Sequence, residues 1–272
     1  MKKIAALITA AVLALSLSAI SACAQTGTST PASLAEQNTM SVLWFQTSGE
    51  AKALFYQGYN IGKMRLDEIL NKKVMKKGLK PAIVLDLDET VIDNSPLFAG
   101  KIVSREGFPL NWSLWVDRAE AKALPGAIEF LKYADSKGVA IFYISNRKET
   151  KKAVTIKNLL AVGAPQADAD HVFLKQKGER GKEDRRGQVA RTHEVVLLFG
   201  DNLGDFSGFD ELTVSGRIGA VNKQKEEFGR KLIVFPNPMY GDWEGAIYHY
   251  DSIKSIDERL KLRKNSLQPF QP

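Results

Sequence analysis

An α/β fold, a parallel sheet flanked by helices, is predicted for these 272 residues by three observations. Short apolar runs rich in β-branched residues recur at 82–85, 139–144 and 195–199, each bounded by polar residues, as buried strands require. The stretches 127–137 and 150–162 have helical length and are closed by Gly138 and Gly163. Two of the strand runs lead directly into acids, Asp86 with Asp88 and Asp201 with Asp205, where the carboxyl edge of a parallel sheet binds ligands.

The length suits one large α/β domain with a sizeable core. Hydrophobic content of 44% and charged content of 25% are those of an ordinary globular chain. The formal charge is +7. Residues 1–22 hold Lys2 and Lys3 and no acid, so the remainder carries +5. No arginine-rich tract or zinc-finger spacing points to dedicated nucleic-acid binding. The three histidines are scattered and take no metal role.

Taken in order, Met1-Lys2-Lys3 and the apolar run 4–20 read as a signal peptide, too short for a transmembrane span. Ile20-Ser21-Ala22-Cys23 resembles the lipobox of bacterial lipoproteins. By that resemblance residues 1–22 are removed and Cys23 is lipidated. Acyl chains there would anchor the chain to a membrane, since each buried methylene contributes about 0.8 kcal/mol. No aspartate follows the cysteine, which resembles the outer-membrane class of exported lipoproteins. Ordinary cleavage near Ala22 or Ala24, leaving a soluble exported protein, is the alternative. Cys23 is the only cysteine, so no intrachain disulfide forms.

Residues 23–40 read as a flexible tether. From 41 to 80 an N-terminal helical segment is expected, with Ser48 capping a long amphipathic helix to about Asn71. Residues 81–264 form the core with its cap elements, and 265–272 a loose tail. Residues 82–85 are the first strand. Asp86 and Asp88 lie two apart, so in extended chain they point to one face. Clustered carboxylates repel, so such a site needs a cation, a shared proton or water. An EF-hand is excluded, because Thr90 and Val91 occupy the positions of a ligand and of the required glycine.

Asn94-Ser95-Pro96 reads as a break. The aromatics of 97–123, among them Trp112 and Trp115, suit core or pocket. Ser145-Asn146-Arg147 follows the strand at 139–144. Its hydroxyl and backbone N–H groups suit an anion, or Ser145 caps a helix beginning near Lys148. Residues 176–191 are strongly charged and lack the Walker A pattern. In Gly200-Asp201-Asn202-Leu203-Gly204-Asp205-Phe206 a strand ends in a glycine that lets backbone approach closely. If its strand neighbours the first, Asp201 and Asp86 converge. A last strand at 231–235 leads to a rigid aromatic loop, 236–244, and residues 252–264 form a helix.

Asp86-Leu87-Asp88-Glu89-Thr90-Val91 after an apolar strand resembles the first motif of the haloacid dehalogenase superfamily. Gly-Asp-Asn-Leu-x-Asp-Phe at 200–206 matches the signature of its bacterial class C acid phosphatases. The resemblance implies a haloacid dehalogenase-like Rossmannoid sheet and the segment 41–80 as part of a helical cap. It implies Asp86 as nucleophile and Asp88 as acid and base. Ser145 would bond a phosphate oxygen. Lys182, in a Lys-x-x-Arg context ending at Arg185, would pair with the nucleophile; Lys175 and Lys177 compete for that role. Asp86, the backbone carbonyl of Asp88, and Asp201 would hold one divalent cation, Mg²⁺ first, with Asp205 behind them. Asn146 and Arg147 are expected at the substrate, and Trp112 and Tyr240 at a nucleobase. The activity implied is hydrolysis of phosphomonoesters, including nucleoside 5′-monophosphates, at acidic pH, with a homodimer possible in the family. A phosphotransferase of the same fold, or a non-catalytic ligand-binding surface lipoprotein, are the alternatives.

Overall fold

The computed structural model of the chain describes residues 30–72, 78–104 and 111–270. The signal peptide and Cys23 readings lie outside these residues. Among the described residues the first elements are α1 (Pro31–Glu36), α2 (Thr39–Thr47) and α3 (Gly49–Lys72), followed by β1 (Lys80–Leu85). The tether reading of 23–40 is corrected in its described part. Thr30 and Ser33 form a reciprocal capping box around a proline start, and this satisfies the N–H groups of Thr30 and Ser33.

An excursion follows β1: β2 (Ile92–Asp93), α4 (Ser95–Val103), α5 (Trp112–Arg118) and β3 (Lys122–Ala123). The stretch 94–96 is thus a helix start rather than a break, with Pro96 in the first turn, where its missing N–H costs nothing. β2 and β3 pair antiparallel as a two-residue ribbon that closes the excursion. α1 and α2 pack against α4. Then come α6 (Ala127–Ser136), β4 (Ala140–Lys148), α7 (Lys152–Ala161), β5 (Val172–Lys175), α8 (Glu183–Ala190) and β6 (His193–Gly200). α9 (Val214–Lys223), β7 (Leu232–Val234), α10 (Asp242–Ile247) and α11 (Ile256–Asn265) complete the chain.

Five strands form one parallel sheet in the order β5-β4-β1-β6-β7. Successive residues point to opposite faces. Ile83, Leu85, Leu197, Phe199 and Ile233 enter one apolar layer, and Ala82, Val84, Leu198 and Leu232 the other. The first layer is closed by α3 and α6, the second by Val189 of α8 and side chains around α9.

The segment 41–80, expected to form part of a cap, divides between two places. α2 reaches the excursion, but α3 lies on the sheet, with Phe55, Tyr59 and Leu66 buried. Gly58 and Gly62 make this approach possible. A Cβ at either would stand 2.4 Å or 2.6 Å from the ring of Phe235 or Phe199. No helix among the described residues is long and apolar enough to cross a membrane.

Candidate active site

The chain leaves β1 for β4 on one side and later returns to β6 on the other. The carboxyl ends of β1 and β6 therefore flank the point where strand order reverses, the usual crevice of an open α/β sheet. Asp86 follows β1 directly, and its N–H donates to the carbonyl of Phe199 in β6. Asp201 follows β6. The parallel pairing brings the two acids together, and carboxylate oxygens of Asp86, Asp201 and Asp205 lie within 4.8 Å of one another.

Lys182, at the start of α8, reaches into this cluster. Its Nζ bonds Asp86 Oδ1 and lies 2.6 Å from Asp205 Oδ1. Of the three lysines considered, this one makes the contact; Lys175 ends β5. Asp205 is held from its other oxygen by the N–H of Asn202 at 2.9 Å. Asp201 accepts from Asn237 Nδ2 at 2.7 Å. Gly200 permits the crowding: a Cβ there would stand 2.4 Å from Asp205 Cβ.

Three buried or half-buried carboxylates share one ammonium, which pairs with Asp86 and Asp205, and the electrostatics follow. Burial lifts the Asp86 carboxyl; Lys182 opposes this, Asp205 and Asp88 add to it, and the result is about 7. Burial, Asp205 and Asp86 likewise hold Asp201 well above the usual carboxylate range. Burial works against the Lys182 ammonium, but Asp205 and Asp86 outweigh it and hold its pKa above the ordinary lysine value. The cluster is short of positive charge. Its donors are hard oxygens without thiol or imidazole, the set that fits a hard divalent cation. Asp86 and Asp201 could hold one, with Asp205 already tied to Lys182 and Asn202.

Asp88 is turned away from that cluster. Arg147 donates to both its oxygens, from Nε at 3.0 Å and 3.2 Å and from Nη2 at 2.7 Å. Ser145 Oγ donates to Asp88 Oδ2 at 3.1 Å, and Asn94 Nδ2 to Oδ1 at 3.0 Å. Ser145 is fully buried and sits within β4, which runs on to Lys148, so it does not cap a helix. Arg147 reaches the pocket but spends its described bonds on Asp88, Asn94 and Thr155.

The resulting pocket, about 180 Å³, is lined by Asp86, Asp88, Asn146, Lys182, Asp201 and Asp205 with Arg147 and, at its rim, Trp112 and Tyr240. Tyr240 stacks on Phe98, with ring centroids 4.8 Å apart, and meets Trp112 edge-on at 6.2 Å. Asn202 and Asp242 also line it, neither assigned from sequence.

Other supporting residues were illegible in the sequence. Arg185, buried beneath the pocket, donates to the Ser145 carbonyl at 2.5 Å and to Asn146 Oδ1 at 2.8 Å, and so ties α8 to the end of β4. The Lys-x-x-Arg spacing was its only trace. Tyr59 of α3 donates to the carbonyl of Thr90 at 2.7 Å. Glu89 is fully buried at φ 58°, a left-handed conformation that costs a residue with a Cβ on the order of 1 kcal/mol. Burial and the nearby Asp88 lift its carboxyl to about 8 against the hydrogen bonds it receives.

A family model described as HAD superfamily, subfamily IIIB (acid phosphatase), matches residues 3–243. The fold is similar to that of the class C acid phosphatase from Bacillus anthracis. That protein is 55% identical, with a TM-score of 0.84 over 88% of this chain and 99% of that one. The same figures hold for its crystal structure with tungstate bound. Acid phosphatase 1 of Solanum lycopersicum is 26% identical over 165 residues, 58% of this chain and 57% of that relative. The chain therefore spans little more than half the length of that curated relative.

Proposed function

The chain belongs to subfamily IIIB of the haloacid dehalogenase (HAD) superfamily, the acid phosphatases, and we propose that this phosphomonoesterase works through an aspartyl-phosphate on Asp86 with one divalent cation. One observation carries the reading: Asp86 and Asp201, at the carboxyl ends of neighbouring strands, gather with Asp205, and Lys182 pairs with Asp86 and Asp205. The Bacillus anthracis relative has been solved with tungstate bound, a tetrahedral oxyanion like phosphate, which supports an oxyanion substrate.

An Asp86 oxygen attacks phosphorus in line, and the bond from phosphorus to the leaving oxygen breaks. Asp88 delivers its proton to that oxygen. Asp88 then takes a proton from water as the water attacks the aspartyl-phosphate, releasing phosphate and restoring Asp86. Arg147, Asn94 and Ser145 fix the direction of the Asp88 carboxyl through both steps. Lys182 offsets the repulsion between Asp86 and the anionic substrate. Asn146, which lines the pocket, offers a contact to phosphate oxygens, while the buried Ser145 hydroxyl is spent on Asp88. A hard cation, Mg²⁺ first, held by Asp86, the Asp88 carbonyl and Asp201, would supply further charge neutralisation of the phosphate.

Trp112 and Tyr240 at the rim favour substrates with a planar organic part, and nucleoside 5′-monophosphates fit that description. The same reading makes the enzyme an exported lipoprotein anchored through Cys23, in the outer membrane; acyl labelling lost in Cys23→Ala would support the anchor. A homodimer is part of this proposal and is tested by light scattering.

The test is phosphate release from a nucleoside 5′-monophosphate and from an aryl phosphate, with Mg²⁺ or with EDTA. The reading expects release that needs metal and is lost in Asp86→Asn. Metal-independent release, or an Asp86→Asn variant near wild type, would overturn it.

A further inference from the structure

We propose that Glu89 is a positioning residue whose one carboxylate sets both Tyr240 at the pocket rim and, through Asn94, Asp88 at its floor. Glu89 does not line the pocket and lies outside the Asp86, Asp201 and Asp205 cluster. Its carboxylate is fully buried, and the partners it has are neutral donors. Oε1 accepts the N–H of Asn94 at 2.6 Å. Oε2 accepts Asn94 Nδ2 at 3.3 Å and the hydroxyl of Tyr240.

Asn94, itself fully buried, is the second hub. The same Nδ2 donates to Asp88 Oδ1 at 3.0 Å. Its Oδ1 accepts from Trp115 Nε1 at 2.8 Å and from Arg147 Nη2 at 3.3 Å. The excursion after β1, the end of β4 and the loop after β7 thus meet on two adjoining side chains. Tyr240 lies in that irregular loop; its ring stacks on Phe98, meets Trp112 edge-on and is tethered by its hydroxyl.

The chemistry requires a carboxyl group. Both of its oxygens accept from Asn94, and each keeps a lone pair for that bond whether or not the group holds a proton, which the Tyr240 oxygen can accept. The amide nitrogen of a glutamine has no such lone pair, so one of the Asn94 bonds is lost whichever oxygen it replaces. The left-handed backbone at Glu89 turns the chain between Asp88 and β2 and is retained despite its cost, as happens where surrounding structure over-determines a residue. In function, the wall that meets the organic part of the substrate and the acid that serves the leaving oxygen are aligned by one group.

This inference rests on the proposed roles of Asp88 and Tyr240, so its test separates them. Steady-state kinetics of wild type, Glu89→Gln, Tyr240→Phe and the double variant are measured on adenosine 5′-monophosphate and on ethyl phosphate, which has no planar part. Glu89→Gln is expected to lower kcat on ethyl phosphate, and to raise KM for the nucleotide, each by about 5- to 20-fold, the scale of one or two lost hydrogen bonds. Tyr240→Phe is expected to raise nucleotide KM by about 3- to 10-fold. Added to Glu89→Gln, it should change KM by less than about twofold, because the hydroxyl is then tied to a side chain already released from Asn94.

Multiplying KM effects in the double variant would overturn the inference. So would a Glu89→Gln enzyme that loses thermal stability while keeping both kinetic constants on both substrates, the signature of a merely structural residue. If Glu89→Gln does not fold, Tyr240→Phe decides. It must lower nucleotide affinity and, by loosening Glu89, also lower kcat on ethyl phosphate; no change in either overturns the inference. A Tyr240→Ala enzyme with an unchanged preference for nucleotide over ethyl phosphate would instead sink the base-stacking role alone, and the kcat of Glu89→Gln on ethyl phosphate would still judge the link to Asp88.

Discussion

Without metal, the protein should lose stability as pH rises from about 5 to about 8, and a divalent cation should reverse the loss. Burial among like charges lifts Asp86 to about 7, and burial with Asp88 beside it lifts Glu89 to about 8. Unfolded, these groups return to their ordinary values of 3.8 and 4.5. Between the two values the folded chain holds a proton that the unfolded chain has released. Unfolding then releases protons, and raising the pH favours it.

For Asp86 that window runs from 3.8 to about 7, and for Glu89 from 4.5 to about 8. At roughly 1.4 kcal/mol per pH unit, the climb from about pH 5 costs roughly 3 kcal/mol at Asp86 and roughly 4 kcal/mol at Glu89. That is a large part of the 5–15 kcal/mol, roughly, that holds a domain folded. Lys182, with its pKa raised, contributes stability that fades only above the ordinary lysine value of 10.5, outside this range. Asp168 and Glu183 have lowered values, so what they contribute is lost only at more acidic pH.

A cation on Asp86 and Asp201 competes with protons there, so it should stabilise more at the higher pH. The assay is urea unfolding across this range in EDTA and in millimolar Mg²⁺. A metal-free chain equally stable at both ends, or an Mg²⁺ effect that does not grow with pH, would refute the reasoning.

Gly200→Ala should cost about 1–3 kcal/mol by overpacking and should lower kcat, because the new methyl meets the Asp205 side chain at 2.3–2.4 Å. Gly219→Ala, where a Cβ meets nothing within 4 Å in the middle of α9, should be neutral or mildly stabilising; thermal melts of both check the pair. Lys182→Met should destabilise by about 3–5 kcal/mol near neutral pH, since it strands Asp86 and Asp205 without their cation, and by less at acidic pH, where a denaturant series would reveal the difference. Tyr59→Phe should cost about 1–2 kcal/mol by leaving the buried carbonyl of Thr90 without its donor, read from the same unfolding curves.

The acid runs and the strands that carry them were legible because their signals are local. A β-branched run ending in Asp-x-Asp reads the same in isolation as in the sheet, and Gly200 announced the close approach that Asp205 makes. What could not be read was pairing across the chain. Nothing near Arg147 says that its guanidinium turns to Asp88, 59 residues away. Ser145 looked like an anion donor or a helix cap, yet the strand continues past it and directs its hydroxyl at Asp88. Glu89 sat in plain view inside the first motif, and Asn94 just beyond it. Their role depends on Tyr240, 151 residues beyond Glu89, and no local pattern records that contact. The short helices at 31–36 and 95–103 were missed for a different reason. Capping and proline position start them, while their apolar periodicity is too brief to stand out.

The most direct test of the account is to trap the phosphorylated enzyme. A ³²P-labelled aryl phosphate is mixed with enzyme and Mg²⁺, quenched in acid within the first turnover, and the peptides are mapped by mass. The account predicts an acid-stable, hydroxylamine-sensitive phosphate on the peptide that carries Asp86, absent from Asp86→Asn. Label on another residue, or rapid turnover with no label on protein at any quench time, would contradict it.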